Sequence, residues 1–191
     1  MDLFSALLIA LSGIWVAFEI GLVVRDRLQG KGKNSRDRGT FYINFLCIAG
    51  GMTFAWIVNG ESTFFFSHER TVVVFWIGAV IMVAGLCLRI WAVLTLGISF
   101  RTTVETHQNQ KVIKSGPYKL VRHPAYSGLL LTGCGYGMAL QNWLSLIFAI
   151  GLPLIALLYR IRIEEKAMVE SLGDEYEAYR KNTKRLVPWI W

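Results

Sequence analysis

Charged side chains are scarce in this sequence. Of its 191 residues, 17% are charged whereas 54% are hydrophobic, and the mean hydropathy is +0.44. A soluble domain of this length carries more charge than that, so the composition excludes an ordinary water-soluble globular protein. The sequence therefore predicts an integral membrane protein.

Cysteine pairs and nucleotide-binding glycine motifs are also lacking. The three cysteines, Cys47, Cys87 and Cys134, lie in apolar runs and form no C-x-x-C pair, which argues against a disulfide framework and a cysteine-based metal site. No metal site is predicted. No G-x-G-x-x-G motif follows a predicted strand, so a Rossmann-type nucleotide fold is excluded as well.

Five apolar runs are present, and three of them are long enough for a helix to cross about 30 Å of hydrocarbon. The long runs are Leu3 to Val24, Phe41 to Asn59 and Val72 to Leu96. Two shorter runs, Ser127 to Leu140 and Trp143 to Tyr159, are separated only by "QN" and predict a tight helical hairpin. The predicted fold is an all-α membrane protein with five transmembrane helices in one domain, residues 1–191.

Positive charge is concentrated on one side of these predicted spans. Eighteen of the 20 Lys and Arg residues lie there, with Arg70 opposite and Arg89 inside a span. The positive-inside rule then predicts an extracytoplasmic N-terminus and a cytoplasmic C-terminus. The first run has no basic region before it and no small-residue cleavage site, so we expect a retained span and not a signal peptide. The net charge of +7 is explained by attraction to anionic lipid headgroups, and no nucleic-acid partner is needed.

The most informative segment is the predicted cytoplasmic stretch "SFRTTVETHQNQKVIKSGPYKLVRH". It is about 25 residues long, and ordered loops of that length are usually functional. Gly116 can adopt a positive φ and Pro117 fixes its own φ, so "KSGPY" predicts a turn that presents Tyr118. In "RHPAYSG", Pro124 suits the first turn of a helix, whose free N–H groups beside His123 can receive an anion. These features predict a bound ligand.

A second group of charged residues follows the last span. Arg160 and Glu164 are four residues apart, so they lie on one face of a helix. A surface pair of this kind contributes only a few tenths of a kcal/mol, and both a structural and a functional role are open for it. Further on, Asp174 and Glu177 form a capping-box pattern that predicts a short helix beginning after Asp174.

Each of the remaining candidates also has an ordinary structural interpretation. Arg122 can be a positive-inside anchor, and Tyr118 and Tyr126 can be interfacial aromatic residues. Arg89 either snorkels to the interface or faces the bundle interior, whereas for Glu19 snorkelling is the preferred interpretation. Only the combination of these residues with the tail indicates a site.

Taken together, the segments resemble a known family. The run "KVIKSGPYKLVRHPAYSG", the hairpin, the pattern R-x-x-x-E-E and the tail "LGDEYEAYRKNTKRLVPW" are similar to the isoprenylcysteine carboxyl methyltransferases and to related membrane phospholipid methyltransferases. The resemblance covers about residues 89 to 191. It implies a helical membrane enzyme that uses S-adenosylmethionine, with the cofactor pocket formed by the long loop and the C-terminal helical extension. Residues 1–98 then supply three spans, and residues 99–191 supply the catalytic loop, the hairpin and the C-terminal cytoplasmic helices.

The resemblance also implies roles for individual residues. Its cofactor-binding positions correspond to Lys111, Val112, Ile113, Tyr118, His123, Pro124, Ala125, Tyr126 and Glu164. Arg160 corresponds to the catalytic arginine that orients the acceptor. The implied site therefore combines a carboxylate, an imidazole and aromatic rings for the cofactor with one guanidinium group for the acceptor.

The implied acceptor is an amphipathic lipid that enters from the bilayer, and the leading candidate is a prenylcysteine-type carboxylate. A carboxylate is already ionised at neutral pH, so its methylation needs no general base. The alternative is a phospholipid N-methyltransferase, whose amine acceptor must first lose a proton to a base such as His123 or Glu165. A further alternative is an enzyme like the NADPH-dependent sterol reductases, although Leu129 stands where those typically carry Asp. A scaffold without catalytic activity would leave the co-occurrence of these residues unexplained.

Overall fold

The computed structural model describes residues 3–29, 39–60, 66, 72–103 and 112–188. Within these ranges the chain is helical and contains no strand: α1 (Leu3–Leu28), α2 (Thr40–Val58), α3 (Val72–Leu96), α4 (Pro124–Ala139), α5 (Trp143–Leu172) and α6 (Asp174–Asn182). Two short 3-10 turns, Gly97–Ser99 and Gly116–Lys119, lie between α3 and α4. The predicted all-α class is confirmed.

Four helices of the described part are long and apolar enough to cross a membrane: Leu3–Leu28, Thr40–Val58, Val72–Ser99 and Trp143–Leu172. The predicted hairpin is present, because α4 is followed directly by α5. However, the 16 residues of α4 extend only about 24 Å, which is less than the roughly 30 Å of hydrocarbon. The integral membrane class is confirmed, and the count of five spans stays a prediction.

Glycines allow α3 and α4 to pack with their backbones almost in contact. A Cβ atom at Gly85 would lie 2.4 Å from an amide nitrogen of α4, and one at Gly128 would lie 2.7 Å from the amide nitrogen of Arg89. Gly78 and Gly135 make equally close approaches further along the two helices. Small residues at such a helix interface permit close packing in membranes. This packing brings Arg89 next to the first turns of α4.

The start of α5 is fastened to the end of α2. Asn142 caps α5, since its Oδ1 accepts hydrogen bonds from the amides of Leu144 and Ser145 at 2.9 and 3.1 Å. Its Nδ2 donates to the carbonyl of Val58 at 3.2 Å, and the Ser145 hydroxyl donates to the carbonyl of Ala55 at 2.6 Å. These bonds hold α2 against the hairpin of α4 and α5.

After α5 the chain turns back toward the loop that precedes α4. Gly173, with φ of 53°, occupies the cap position of α6. The prediction that Asp174 caps this helix is wrong, because the positive φ of Gly173 starts the helix one residue earlier and makes Asp174 its first residue. Tyr176 and Tyr179 are buried, and the Tyr179 hydroxyl donates to the carbonyl of Tyr118 at 2.6 Å. The tail is thereby placed beside the head of α4.

Candidate active site

A cavity of about 630 Å³ lies between the helices at the end of the bundle where α4 begins. Its wall includes residues of α1 to α5 and of the loop after α3. Most of the predicted site residues are in this wall: Tyr118, His123, Ala125, Tyr126, Arg160 and Glu164. The fold thus brings together side chains from the turn before α4, from α4 itself and from α5.

The turn before α4 presents an imidazole to the cavity. Gly116 has the predicted positive φ, 56°, and Pro124 is the first residue of α4. The His123 ring is buried and stacks on Tyr126, with 5.5 Å between the ring centroids. Its Nδ1 lies 3.8 Å from Oε2 of Glu164, and its Nε2 lies 3.5 Å from Oε1 of Glu165. The imidazole is therefore placed between the two neighbouring carboxylates of α5.

The hydroxyl of Tyr126 connects the two charged residues that were predicted on one face of α5. Arg160 donates from Nε to this oxygen at 2.8 Å, and the hydroxyl donates to Oε2 of Glu164 at 2.8 Å. Arg160 also donates to the carbonyl of Thr102, in the loop after α3. Arg160 is 4% exposed, whereas the Glu164 side chain is 25% exposed. Both side chains therefore contribute to one polar wall, one helical turn apart.

The neighbouring Glu165 is buried outside the cavity wall and fastens the tail. Its Oε1 accepts a hydrogen bond from Nε of Arg122 at 2.8 Å, and its Oε2 accepts from Nε and Nη2 of Arg185 at 3.1 and 3.0 Å. The backbones are joined as well, because the amides of Arg122 and His123 donate to the carbonyls of Lys184 and Arg185 at 2.8 and 3.0 Å. Arg122 is thus a structural partner of the tail. A carboxylate held by two guanidinium groups is poorly suited to act as a base.

The intramembrane residue Arg89 faces the bundle interior and is 6% exposed. Its Nε and Nη2 donate to the two carboxylate oxygens of Glu19 on α1, the second at 2.6 Å. Its Nη1 donates to the carbonyl of Ala125 at 2.9 Å, and Nε1 of Trp15 donates to Glu19 at 3.2 Å. The interior interpretation of Arg89 is correct, and the preferred snorkelling of Glu19 is wrong. The reason is that a two-point ion pair satisfies both charges inside the bundle.

The inner end of the cavity is apolar. Four helices each contribute one apolar residue to this end of the lining: Trp15 from α1, Met52 from α2, Leu129 from α4 and Leu157 from α5. Trp15, Leu129 and Leu157 form one buried cluster, and Met52 packs against it. We call these four residues the floor of the cavity.

Between α1 and α2 the cavity wall is apolar and open to the outside of the bundle. Ile20 and Val24 on α1 and Tyr42 and Phe45 on α2 line it, yet these side chains are 47 to 64% exposed. In a membrane protein such an apolar opening contacts lipid chains. We call it the α1–α2 groove.

Positive charge predominates in the described part of the cavity lining. The lining contains two acidic residues, Glu19 and Glu164, and five arginines, which are Arg27, Arg89, Arg101, Arg122 and Arg160. Burial raises the pKa of the Tyr118 hydroxyl well above its usual range, so Tyr118 contributes a neutral aromatic surface at physiological pH. The cavity therefore suits ligands with negative charge and an apolar part.

The remaining predicted positions lie elsewhere. Val112 and Ile113 are half-buried in the segment before the Gly116 turn, and Pro124 is buried at the start of α4; none of them lines the cavity. Lys111 lies outside the described residues. Their assignment to the cofactor stays a prediction.

The segment from α3 to α5 is similar to a known protein family. Residues 76–170 match the model of the isoprenylcysteine carboxyl methyltransferase family. Over this segment, 95 of the 191 residues, the chain is similar to that family. The match includes Arg89, His123, Tyr126, Arg160 and Glu164, so the polar wall of the cavity is built largely from the part shared with the isoprenylcysteine carboxyl methyltransferases.

Individual methyltransferases of this family are also similar to the chain. A probable protein-S-isoprenylcysteine O-methyltransferase of Oryza sativa subsp. indica is 36% identical over 118 residues, which are 60% of this chain and 61% of the rice protein. The protein-S-isoprenylcysteine O-methyltransferase of Schizosaccharomyces pombe is 32% identical over 152 residues, 75% of this chain and 62% of that protein. The structure of the eukaryotic intramembrane Ras methyltransferase, an isoprenylcysteine carboxyl methyltransferase, superposes with a TM-score of 0.64 at 26% identity, over 74% of this chain and 52% of the other. The chain thus spans about three-fifths of the rice and fission yeast relatives.

The family match does not extend to α1. Glu19 and Trp15 precede residue 76, and their contribution to the site is not among the predictions from the sequence. A signal was nevertheless present, because Glu19 is the one charged residue of the apolar run Leu3 to Val24 and Arg89 is the one charged residue of the run Val72 to Leu96, which favours an intramembrane pair.

Proposed function

We propose that this chain is an S-adenosylmethionine-dependent methyltransferase that O-methylates the carboxylate of a prenylcysteine-type lipid in the membrane. The supporting observation is that Tyr118, His123, Tyr126, Arg160 and Glu164 line one cavity, which is continuous with the exposed apolar α1–α2 groove. A charged head and a lipid chain can therefore occupy the same cavity.

The residues of the polar wall fit the cofactor. The Glu164 carboxylate is suited to an α-ammonium group, the His123 imidazole in the cavity wall to a polar group of the ligand, and the neutral Tyr118 ring to the adenine. When bound, S-adenosylmethionine supplies an electrophilic methyl group on a sulfonium. The residues of this chain bind and orient the two reactants.

Arg160 is the residue that we assign to the acceptor carboxylate. Its guanidinium group lies in the cavity wall, and arginine N–H groups bind carboxylates through charge-assisted hydrogen bonds. A terminal carboxyl group has a pKa of about 3.3 to 3.7, so it reaches the site already ionised and no side chain has to remove a proton. Holding the reactants near attack distance can account for several kcal/mol of the barrier.

The charge of the cavity favours this acceptor over the amine of a phospholipid. Arginines outnumber glutamates in the described lining, and positive charge disfavours a protonated amine. Glu165, one of the two candidate bases for an amine acceptor, is held by Arg122 and Arg185. The geometry therefore supports carboxyl O-methylation better than phospholipid N-methylation.

The lipid chain of the acceptor would enter laterally through the α1–α2 groove. Leaving an apolar chain in water costs about 0.8 kcal/mol per CH₂, so access from the bilayer is strongly favoured. The polar wall lies at the same end of the bundle as most Lys and Arg residues, and the positive-inside rule places that end in the cytoplasm.

Two measurements test this function. Calorimetric titration of the purified protein in detergent with S-adenosylhomocysteine should show binding, whereas NADPH should not bind; the reverse result would favour a reductase. A methyl-transfer assay should then show turnover with N-acetyl-S-farnesylcysteine and none with its methyl ester, which has no free carboxylate. Turnover on phosphatidylethanolamine alone would instead support the N-methyltransferase alternative.

A further inference from the structure

We propose that Glu19, on the helix that precedes the family match, is a positioning residue that keeps Arg89 from binding the acceptor carboxylate and so directs this carboxylate to Arg160. This inference rests on the proposed function. It concerns two of the five lining arginines, Arg89 and Arg160, which both contact the first turn of α4.

The two arginines contact successive residues of the first turn of α4. Arg89 donates to the carbonyl of Ala125 at 2.9 Å, and Arg160 donates to the hydroxyl of Tyr126 at 2.8 Å. Both are at least nine-tenths buried, and both line the cavity. In a partly dry cavity either guanidinium group would attract an acceptor carboxylate.

Glu19 removes one of these two choices. Its two carboxylate oxygens accept hydrogen bonds from Nε and Nη2 of Arg89, and Nη1 of Arg89 is engaged by Ala125. Trp15 donates to Glu19 from the same helix, which fixes the carboxylate toward Arg89. The paired Arg89 therefore carries no net charge for a ligand.

A merely structural salt bridge and a positioning residue make different kinetic predictions. If Glu19 only anchors α1, its removal lowers stability and kcat/KM together. If it neutralises Arg89, its removal creates a second carboxylate site away from the methyl donor. Acceptor bound there is unreactive, and such nonproductive binding lowers kcat and KM by the same factor while kcat/KM is unchanged.

The test compares Glu19→Gln with Glu19→Asp and the double variant Glu19→Gln/Arg89→Gln, in methyl transfer to N-acetyl-S-farnesylcysteine. For Glu19→Gln we expect kcat and KM to fall together by about tenfold, the effect of one additional charge-assisted hydrogen bond. Glu19→Asp keeps the charge and should stay within about threefold of the wild type, a difference below 1 kcal/mol. The double variant should have a higher kcat than Glu19→Gln, because it lacks the second guanidinium group.

Ser12→Ala serves as the matched control on α1, because Ser12 donates only within its own helix, to the carbonyl of Leu8 at 2.7 Å, and does not line the cavity. Thermal unfolding in detergent is measured for every variant. A Glu19→Gln protein with raised KM, or a double variant no better than the single one, would overturn the inference. If Glu19→Gln does not fold, a large loss of kcat in a folded Glu19→Asp protein would overturn the inference instead.

The proposed function is tested separately, on the wild-type protein. If the wild type binds S-adenosylhomocysteine and methylates the acceptor, the proposed function holds even when the inference about Glu19 fails.

Discussion

Replacing Tyr126 by Phe tests the polar wall with the loss of a single oxygen atom. The hydroxyl accepts a hydrogen bond from Arg160 and donates one to Glu164, each at 2.8 Å. The phenylalanine ring can keep the stacking on His123, where the ring planes are 8° apart. The substitution therefore perturbs the two charged residues without removing the aromatic surface.

The expected magnitude follows from these two bonds. A hydrogen bond to a charged group contributes about 1.5 to 3 kcal/mol, and water in the cavity can replace part of what is lost. We expect a net loss of about 2 to 3 kcal/mol in transition-state binding, which corresponds to roughly a 30- to 150-fold decrease in kcat/KM. The affinity for S-adenosylhomocysteine should also fall, because Glu164 loses a partner that orients it.

Steady-state methylation of N-acetyl-S-farnesylcysteine and calorimetry with S-adenosylhomocysteine measure the two effects. Tyr159→Phe is the matched control, because Tyr159 is 47% exposed on the same helix as Arg160 and does not line the cavity. The control should behave like the wild type. A Tyr126→Phe enzyme within about twofold of the wild type, a difference of less than 0.5 kcal/mol, would refute the role of this hydroxyl.

Three further predictions concern the tail, the helix packing and the topology. Glu165→Ala should lower the free energy of unfolding by about 3 kcal/mol or more, because it leaves two guanidinium groups without their buried carboxylate. Glu177→Ala removes one partner of an exposed ion pair and should lower the same free energy by less than about 1 kcal/mol. Equal effects of the two substitutions in thermal melts would contradict this prediction. Gly128→Ala should destabilise the protein by about 1 to 3 kcal/mol, since its Cβ would meet the backbone of α3 at 2.7 Å, while Gly13→Ala meets nothing within 4 Å and should be neutral. A cysteine introduced at Gly60 in a chain without native cysteines should react with a membrane-impermeant thiol reagent from the extracytoplasmic side; labelling only from the cytoplasm would rule out the predicted orientation.

Local patterns in the sequence predicted the parts of the site that depend on one segment. The Gly116 turn, the start of a helix at Pro124 and the shared face of Arg160 and Glu164 all follow from φ preferences or from the 3.6-residue period. These features were confirmed because neighbours along the chain determine them.

Contacts between distant segments could not be derived in the same way. Whether Arg89 snorkels or turns inward depends on the rotation of α3 against α1 and α4, which the close packing at Gly85 and Gly128 decides. The role of Glu165 depends on Arg185, which returns to α5 only after α6 has folded back. A single helix does not reveal either partner, so the sequence alone leaves Glu165 as a candidate base although two arginines hold it in the fold.

The central claim is that Arg160 handles the acceptor and Glu164 the cofactor. The most direct test measures S-adenosylhomocysteine affinity and turnover on N-acetyl-S-farnesylcysteine for Arg160→Ala, Arg160→Lys and Glu164→Ala. We expect Arg160→Ala to abolish turnover with cofactor affinity within about threefold of the wild type, and Arg160→Lys to restore only part of the activity because an ammonium group lacks the planar fork of donors. Glu164→Ala should weaken S-adenosylhomocysteine binding by about tenfold or more, the loss of one hydrogen-bonded charge. Wild-type turnover in Arg160→Ala would contradict this claim. So would an Arg160→Ala protein that no longer binds the cofactor together with a Glu164→Ala protein that binds it normally.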